Sequence, residues 1–139
     1  MKKTFLFAGL IMISLSLNSQ QTSWKIKING KTLLTASIES PETNTRKVKQ
    51  AEWKKNGSLE IQYTEEEPGV WWRSFLFYDT EDNELMRTDS SDKIKVQLSK
   101  LRNLFKGKKE IIIYTTVAPR DPNLAVRIRR VHLCTLKLP

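Results

Sequence analysis

The sequence predicts an all-β protein, a single β-sandwich that is immunoglobulin-like in the broad sense, with a small β-barrel as the runner-up. Short segments alternate apolar and polar residues at a period of two, as half-buried strands do. Turn residues such as Asn29-Gly30 and Asn56-Gly57 separate these segments. Only residues 99–107 have helical spacing. Roughly seven to nine short strands and one short helix therefore fit a sandwich of two sheets.

The beginning of the chain is predicted to be an export signal. Lys2 and Lys3 precede an apolar run over residues 5–17, which is too short to cross a bilayer as a helix, and a small polar segment follows. This three-part layout is typical of a secretory signal peptide. We expect removal of residues 1–19, leaving residues 20–139 as one β-sandwich domain without a transmembrane segment. The mature protein is then periplasmic or secreted, in a bacterial envelope.

The first half of the mature chain predicts a hairpin and two further strands. Residues 24–28 alternate strictly, and the Asn-Gly turn after them favours positive φ at both positions, so residues 32–38 return as the second strand. After a polar loop, residues 46–53 are predicted to form a strand. Residues 59–63 alternate again, which predicts a strand with one wet face.

The middle of the chain contains an aromatic segment, residues 71–78, that is apolar on both faces. This pattern predicts a central strand covered on both sides, or a strand that carries an exposed aromatic patch. After an acidic turn, residues 84–87 predict a short return strand, and residues 94–98 alternate once more. The helical segment over residues 99–107 follows, with Ser99 as its N-cap and a glycine at its end.

The last strands are predicted over residues 110–118 and 125–138. The apolar phase of the final segment breaks, because Val126 and Ile128 alternate one way and the residues after position 130 the other. A β-bulge near Arg129-Arg130 would reconcile the two phases. The residues expected to be buried in apolar phases of these strands are Ile61, Phe75, Ile113 and Ile128.

The charge of the chain favours anionic partners. The formal net charge is +9, and since residues 1–19 hold two lysines and no acidic residue, the mature domain keeps +7. Such a surface attracts acidic molecules. We expect an anionic glycan, a lipid head group or another envelope protein with an acidic surface, and no specific nucleic-acid binding.

Basic residues near the end of the chain are the candidates for the anion-binding face. Guanidinium forks pair well with phosphate, sulfate and carboxylate. The candidates are Arg127, Arg129, Arg130, Lys106, Lys108 and Lys109. Trp71 and Trp72 point to opposite faces of a strand, so one of them is free to stack against a sugar or lipid interface. The competing interpretation is a sheet surface on which these arginines form ordinary ion pairs with Glu60, Glu65 or Glu66, with both tryptophans in the core.

His132 and Cys134 are the one pair that suggests metal or nucleophile chemistry. Two residues apart on a strand, they are expected to face the same side, and both suit copper or zinc. The chain has one histidine and one cysteine, so a third ligand would have to be Met86 or an aspartate. The same count excludes an intramolecular disulfide. We favour a buried cysteine beside a hydrogen-bonded histidine, with no metal.

The acidic turn at residues 79–84 is rich in oxygen ligands that suit calcium. Its spacing matches an EF-hand loop poorly, because position 84 is not glycine and Ser90 stands where the final glutamate would be. We interpret it as a solvated turn.

The sequence therefore favours an exported, non-enzymatic envelope or secreted binding module without a cofactor. It would engage an anionic glycan, a lipid or an acidic protein surface. The alternative is a metal-binding protein or small enzyme centred on His132 and Cys134.

Overall fold

A computed structural model of the chain describes residues 22–66, 69, 71–89 and 91–139. The predicted signal peptide and its cleavage site lie outside these residues. In chain order, the strands are β1 (Ser23–Ile28), β2 (Lys31–Ala36), β3 (Thr45–Lys47), β4 (Ser58–Thr64), β5 (Trp71–Tyr78), β6 (Glu84–Arg87), β7 (Lys93–Gln97), β8 (Glu110–Pro119) and β9 (Val131–Lys137). The helices are α1 (Gln50–Trp53) and α2 (Leu98–Leu104).

The predicted β-sandwich is confirmed. Over the described residues, one sheet has four strands in the order β2-β1-β4-β7, and the other has five in the order β3-β9-β8-β5-β6. The sheets do not close into a barrel in this part of the chain. All pairs are antiparallel except β3 with β9, which run parallel. The nine described strands lie within the predicted range.

The core forms where the inward faces of the two sheets meet. Alternation places Ile26 and Ile61 of one sheet inside, and Phe75 and Ile113 of the other, all fully buried. Burial of Ile61, Phe75 and Ile113 was predicted and is confirmed. Apolar area removed from water stabilises by about 25 cal/mol per Å², so this shared layer is the main source of stability.

The hairpin between β1 and β2 has the predicted turn. Asn29 and Gly30 have φ of 49° and 79°, which both residues of a type I′ turn require. The buried carboxylate of Glu52 in α1 stabilises this turn through hydrogen bonds. It accepts hydrogen bonds from Asn29 Nδ2 at 2.8 Å and Lys31 Nζ at 2.7 Å. Ile38, which was predicted to continue the second strand, lies beyond its end and is 75% exposed.

The prediction of one strand over residues 46–53 is wrong, and so is the expectation of a single helix. Only Thr45–Lys47 pairs with β9, and α1 follows after two residues. The sequence Gln50-Ala51-Glu52 favours helix, which is the signal that strand alternation obscured. One helical turn brings Glu52 under the first hairpin. The other helix, α2, begins at Leu98 without a side-chain cap, so Ser99 is not its N-cap.

The final strand begins at Val131, not at residue 125. Pairing between β8 and β9 ends at Thr115 and Val131, so the residues before Val131 leave the sheet. Val126 and Ile128 alternate with arginines, which imitates a strand, but they are 39% and 54% exposed. Burial of Ile128 was therefore a wrong prediction.

A bulge does occur in the last strand, but further along than predicted. Ile113 pairs with Cys134 and Tyr114 pairs with His132, so Leu133 is the extra residue on β9. Its carbonyl accepts a hydrogen bond from the Trp24 indole at 3.0 Å, which links the two sheets. The predicted bulge at Arg129-Arg130 is replaced by this one, and the register shift reverses the faces of the residues on either side.

Candidate functional site

The outer face of the five-stranded sheet carries a concave surface. Since Phe75 and Phe77 point into the core, Trp72, Ser74 and Tyr78 on the same strand point outward. Trp72 pairs with Ala118 and Ser74 with Thr116 on β8, so these side chains share the outer face. Trp72 is 46% exposed, a large aromatic surface left open to solvent. It is the less buried of the two adjacent tryptophans.

An irregular segment over residues 120–130, here called the strap, rests on the aromatic rings of this face. At its start, the Arg120 guanidinium lies 4.2 Å from the centre of the Trp72 ring. At its end, Arg130 lies 4.7 Å from Tyr78 and 4.4 Å from Tyr114. Trp72 and Tyr78 lie at opposite ends of β5, about 20 Å apart along the strand. The strap is therefore fastened at both ends by cation–π contacts.

Between the strap and the sheet lies a groove of about 460 Å³. This volume is within the range of about 300–1,000 Å³ typical of small-molecule sites. The groove is lined by Trp72, Ser74, Arg87, Thr116, Val117, Ala118 and Ile128. It offers an aromatic plane, two hydroxyls, a guanidinium and an aliphatic wall. These groups suit a ligand that has both apolar faces and polar edges.

Arg87 is held in a fixed orientation at the groove. Its Nε and Nη2 donate to the two carboxylate oxygens of Glu84 at 2.7 and 3.0 Å. The Tyr78 hydroxyl donates to the same carboxylate at 3.0 Å. Hydrogen bonds from Arg87 hold the pKa of Glu84 below its usual range. The guanidinium keeps further N–H groups beyond those that Glu84 accepts.

The predicted arginines do not form one free basic face. Arg129 at the end of the strap donates to Glu39 Oε2 at 3.0 Å from both terminal nitrogens, and Arg130 pairs with Asp82 at 2.7 Å. These partners differ from the predicted Glu60, Glu65 and Glu66. Arg127 lies exposed on the strap, two residues before Arg129. The structure thus gives two of the three arginines a structural partner.

The predicted lysines lie between α2 and β8. Lys106 and Lys109 are exposed. Lys108 donates to the buried Asp79 Oδ2 at 2.9 Å, so its charge is engaged. Lys108 and Arg130 thus both pair with the acidic turn, at Asp79 and Asp82.

His132 and Cys134 point to opposite faces of the sheet, contrary to prediction, because of the bulge at Leu133. Cys134 pairs with the core residue Ile113, while His132 pairs with the outward-facing Tyr114. The His132 ring lies edge-on to Tyr114, and its Nε2 is 2.8 Å from Thr135 Oγ1. Two side chains on opposite faces of one strand cannot bind the same metal ion or act as a nucleophile and its base.

Burial also shifts the pKa of both groups. It raises the pKa of the Cys134 thiol to about 12, which suppresses the thiolate at neutral pH. Burial lowers the pKa of His132, so the ring is neutral at pH 7. Across the described residues, no group of three or more His, Cys, Asp or Glu side chains is placed to share a metal ion.

The acidic turn is organised by a carboxylate that is buried rather than solvated. Asp79 is 1% exposed and accepts backbone N–H groups from Glu81 and Asn83 at 3.0 and 2.9 Å. Lys108 and the Asn83 amide bind its other oxygen. The Lys108 hydrogen bond, together with those of Asn83, holds the pKa of Asp79 well below its usual range. Both carboxylate oxygens of Asp79 already accept hydrogen bonds from protein donors. This arrangement is typical of a side chain that stabilises a turn, and it does not fit a calcium ligand.

The lowered pKa values of two buried carboxylates, Glu52 and Asp79, predict that the protein loses stability in acid. Hydrogen bonds from Asn29, Lys31 and Lys55 lower the pKa of Glu52 to about 2, and the pKa of Asp79 is also lowered. A group whose pKa is depressed by folding stabilises above its unfolded pKa of about 4 and loses that contribution as pH falls. We expect the free energy of unfolding to fall steeply below about pH 4. Urea unfolding across pH 2–7 measures this.

The double variant Glu52→Gln/Asp79→Asn is the control for that prediction. It should be less stable at neutral pH and lose less stability on acidification, because neither side chain then takes up a proton. If the variant and the original chain lose stability with the same pH dependence, other groups cause the acid effect.

Several residues in and beside the groove were not predicted from the sequence. Ser74, Arg87, Thr116 and Arg120 have no motif around them. Only the pairing of β5 with β8 and with β6 brings Thr116 and Arg87 to the face that carries Trp72 and Ser74. The two-tryptophan sequence was the one signal that pointed here. No family model, curated protein or solved structure matches this chain. Within the described residues, neither helix is long and apolar enough to cross a bilayer.

Proposed function

We propose that the mature chain is an exported, non-enzymatic binding module of a bacterial envelope, and that its groove binds an acidic sugar. The observation that carries this proposal is the half-exposed Trp72 ring, which lies in the groove beside Arg87 with Arg120 stacked on it. Sugar rings present C–H faces that pack on aromatic planes. Their hydroxyls need hydrogen-bond partners at the edges, which Ser74 and Thr116 supply.

The preference for an acidic sugar follows from the charges around the groove. Arg87 and Arg120 both lie within reach of a ligand on Trp72, and guanidinium groups form charge-assisted hydrogen bonds with carboxylates and sulfates. Glu84 offsets part of the charge of Arg87. The net charge of +7 expected for the mature domain would attract polyanions from a distance. An uncharged sugar would gain the stacking contact but not the ionic ones.

Titration with oligogalacturonate, and with cello-oligosaccharide as an uncharged comparison, tests this function. We expect the acidic oligosaccharide to bind and to quench tryptophan fluorescence. Trp72→Ala should weaken binding by about tenfold, since aromatic contacts contribute up to about 1.5 kcal/mol. Arg120→Gln should also weaken it and reduce its dependence on salt.

Ile38→Ala is the matched control, because Ile38 is an exposed apolar residue outside the groove. It should bind as the original chain does. Equal affinity for the two oligosaccharides would contradict the charge argument. Full affinity in the Trp72→Ala variant would show that the groove is not the site.

A further inference from the structure

The outer face of the four-stranded sheet carries an ordered array of lysines. Trp24, Ile26 and Ile28 of β1 fill the core, so Lys25 and Lys27 point outward. On β7, Lys93 and Lys95 point outward in the same way, because Val96 points into the core. This surface is opposite the sheet that carries the groove, and none of its lysines was among the candidates from the sequence.

Strand register places the four lysines at the corners of a rectangle. Lys25 and Lys93 both pair with Gln62 of the intervening β4. Lys27 and Lys95 both pair with Glu60 of the same strand. Adjacent corners are about 7 Å apart along a strand and about 10 Å apart across two strand spacings, measured at the backbone. We call this surface the lysine face.

The positive charge of the lysine face is only partly compensated. Glu60 is its one described carboxylate, and it lies 3.6 Å from Lys95 Nζ. No ion pair with a described carboxylate engages Lys25, Lys27 or Lys93. Four lysines against one glutamate leave a concentrated positive charge on a flat sheet. Such a surface is electrostatically complementary to an anionic partner.

The shape and chemistry of the lysine face favour a flat partner over a sugar. The cavity among Lys25, Lys27, Glu60, Gln62 and Lys93 is about 30 Å³, close to the volume of one water molecule. The residues that border the array on β2 are Thr32 and Thr35, so the array supplies no aromatic plane for stacking. Lysine is also a hydrated point charge, which lacks the planar fork that binds one anion specifically.

We propose that the lysine face docks the protein on an anionic lipid surface. Each lysine near such a surface contributes roughly the same increment to adsorption, without any specific pocket. Because the two sheets of a sandwich present opposite outer faces, docking through the lysine face leaves the groove directed away from the lipid. The proposal does not depend on what the groove binds.

Vesicle sedimentation with the mature chain tests this proposal. We expect adsorption at low salt to vesicles containing phosphatidylglycerol, no adsorption to phosphatidylcholine alone, and release at high salt. The triple variant Lys25→Gln/Lys27→Gln/Lys93→Gln should bind about a hundredfold more weakly, at about fivefold per lysine. Trp72→Ala should adsorb normally, which separates this result from the test of the groove.

The matched control is Lys47→Gln/Lys49→Gln/Lys54→Gln, which removes the same charge from exposed lysines elsewhere. It should lose much less adsorption than the first triple variant. Equal losses in the two triple variants, or no adsorption to phosphatidylglycerol, would overturn the proposal. If the lysine-face variant loses retention on an acidic polysaccharide but still adsorbs to vesicles, the face binds glycans and the lipid proposal is wrong.

Discussion

Phe75→Ala is expected to lower the free energy of unfolding by about 3–5 kcal/mol, the range for removing a fully buried phenylalanine. Phe75 is 0% exposed and lies on β5, a central strand of its sheet. β8 pairs with β5 along the whole length of β5, so the backbone has little freedom to close the cavity that the substitution leaves. Native domains are stable by only about 5–15 kcal/mol, so this one change removes a large part of the total. Urea unfolding at pH 7 measures the difference.

Ile128→Ala is the control, because sequence and structure disagree about this residue. The alternation of residues 126–128 predicted burial, whereas the side chain is 54% exposed on the strap. We expect a loss of less than about 0.5 kcal/mol, as for most surface substitutions. A loss of several kcal/mol there, or of less than about 1 kcal/mol for Phe75→Ala, would mean that the core is assigned wrongly.

Local patterns were sufficient to predict most of the fold, because the strands are short and mostly amphipathic. In β1 and β4, alternation at a period of two identifies the buried face residue by residue. In β5, apolar residues on both faces were interpreted as a central strand, and β5 does have a neighbour on either side. The turn at Asn29-Gly30 was predictable because its φ angles are set by local sterics.

The errors near the end of the chain have one cause, which is that strand formation requires a partner. Residues 125–130 alternate as a strand does, but the pairing with β8 stops at Val131. The faces of His132 and Cys134 were assigned by counting in twos, and a single bulged residue between them reversed the result. No local property of residues 131–135 reveals that bulge. It depends on the register with β8 and on the hydrogen bond from Trp24.

The groove and the lysine face could not be predicted from the sequence, for a related reason. Each depends on side chains from several strands that are distant in the chain, and strand order cannot be derived from alternation. Once the order is known, simple geometry assigns both faces. Trp72 was a candidate from the sequence because it belongs to an adjacent pair of tryptophans. Arg87 was not, because it lies on β6 and enters the groove only through the pairing of β6 with β5.

A buried arginine lies at the beginning of β5. The Arg73 side chain is 8% exposed, and its Nε donates to Glu65 Oε1 at 2.8 Å. Its Nη1 donates to Thr115 Oγ1 at 2.9 Å, and the guanidinium lies 3.6 Å from the centre of the Tyr63 ring. Asp92 is the other carboxylate nearby, at 3.9 Å. This network closes one end of the core with polar groups whose hydrogen bonds depend on one another.

Glu65→Gln is therefore expected to cost about 3 kcal/mol, because it leaves a buried guanidinium without its main counter-ion. Glu60→Gln removes the same charge from the exposed pair with Lys95 and should cost less than about 1 kcal/mol. The double variant Glu65→Leu/Arg73→Met should regain most of the loss, since a buried pair replaced by apolar side chains of similar volume is often neutral. Urea unfolding of the four proteins at pH 7 measures these differences. If Glu65→Gln and Glu60→Gln have equal effects, the pair is solvated, and if the double variant is the least stable, the ion pair itself stabilises the fold.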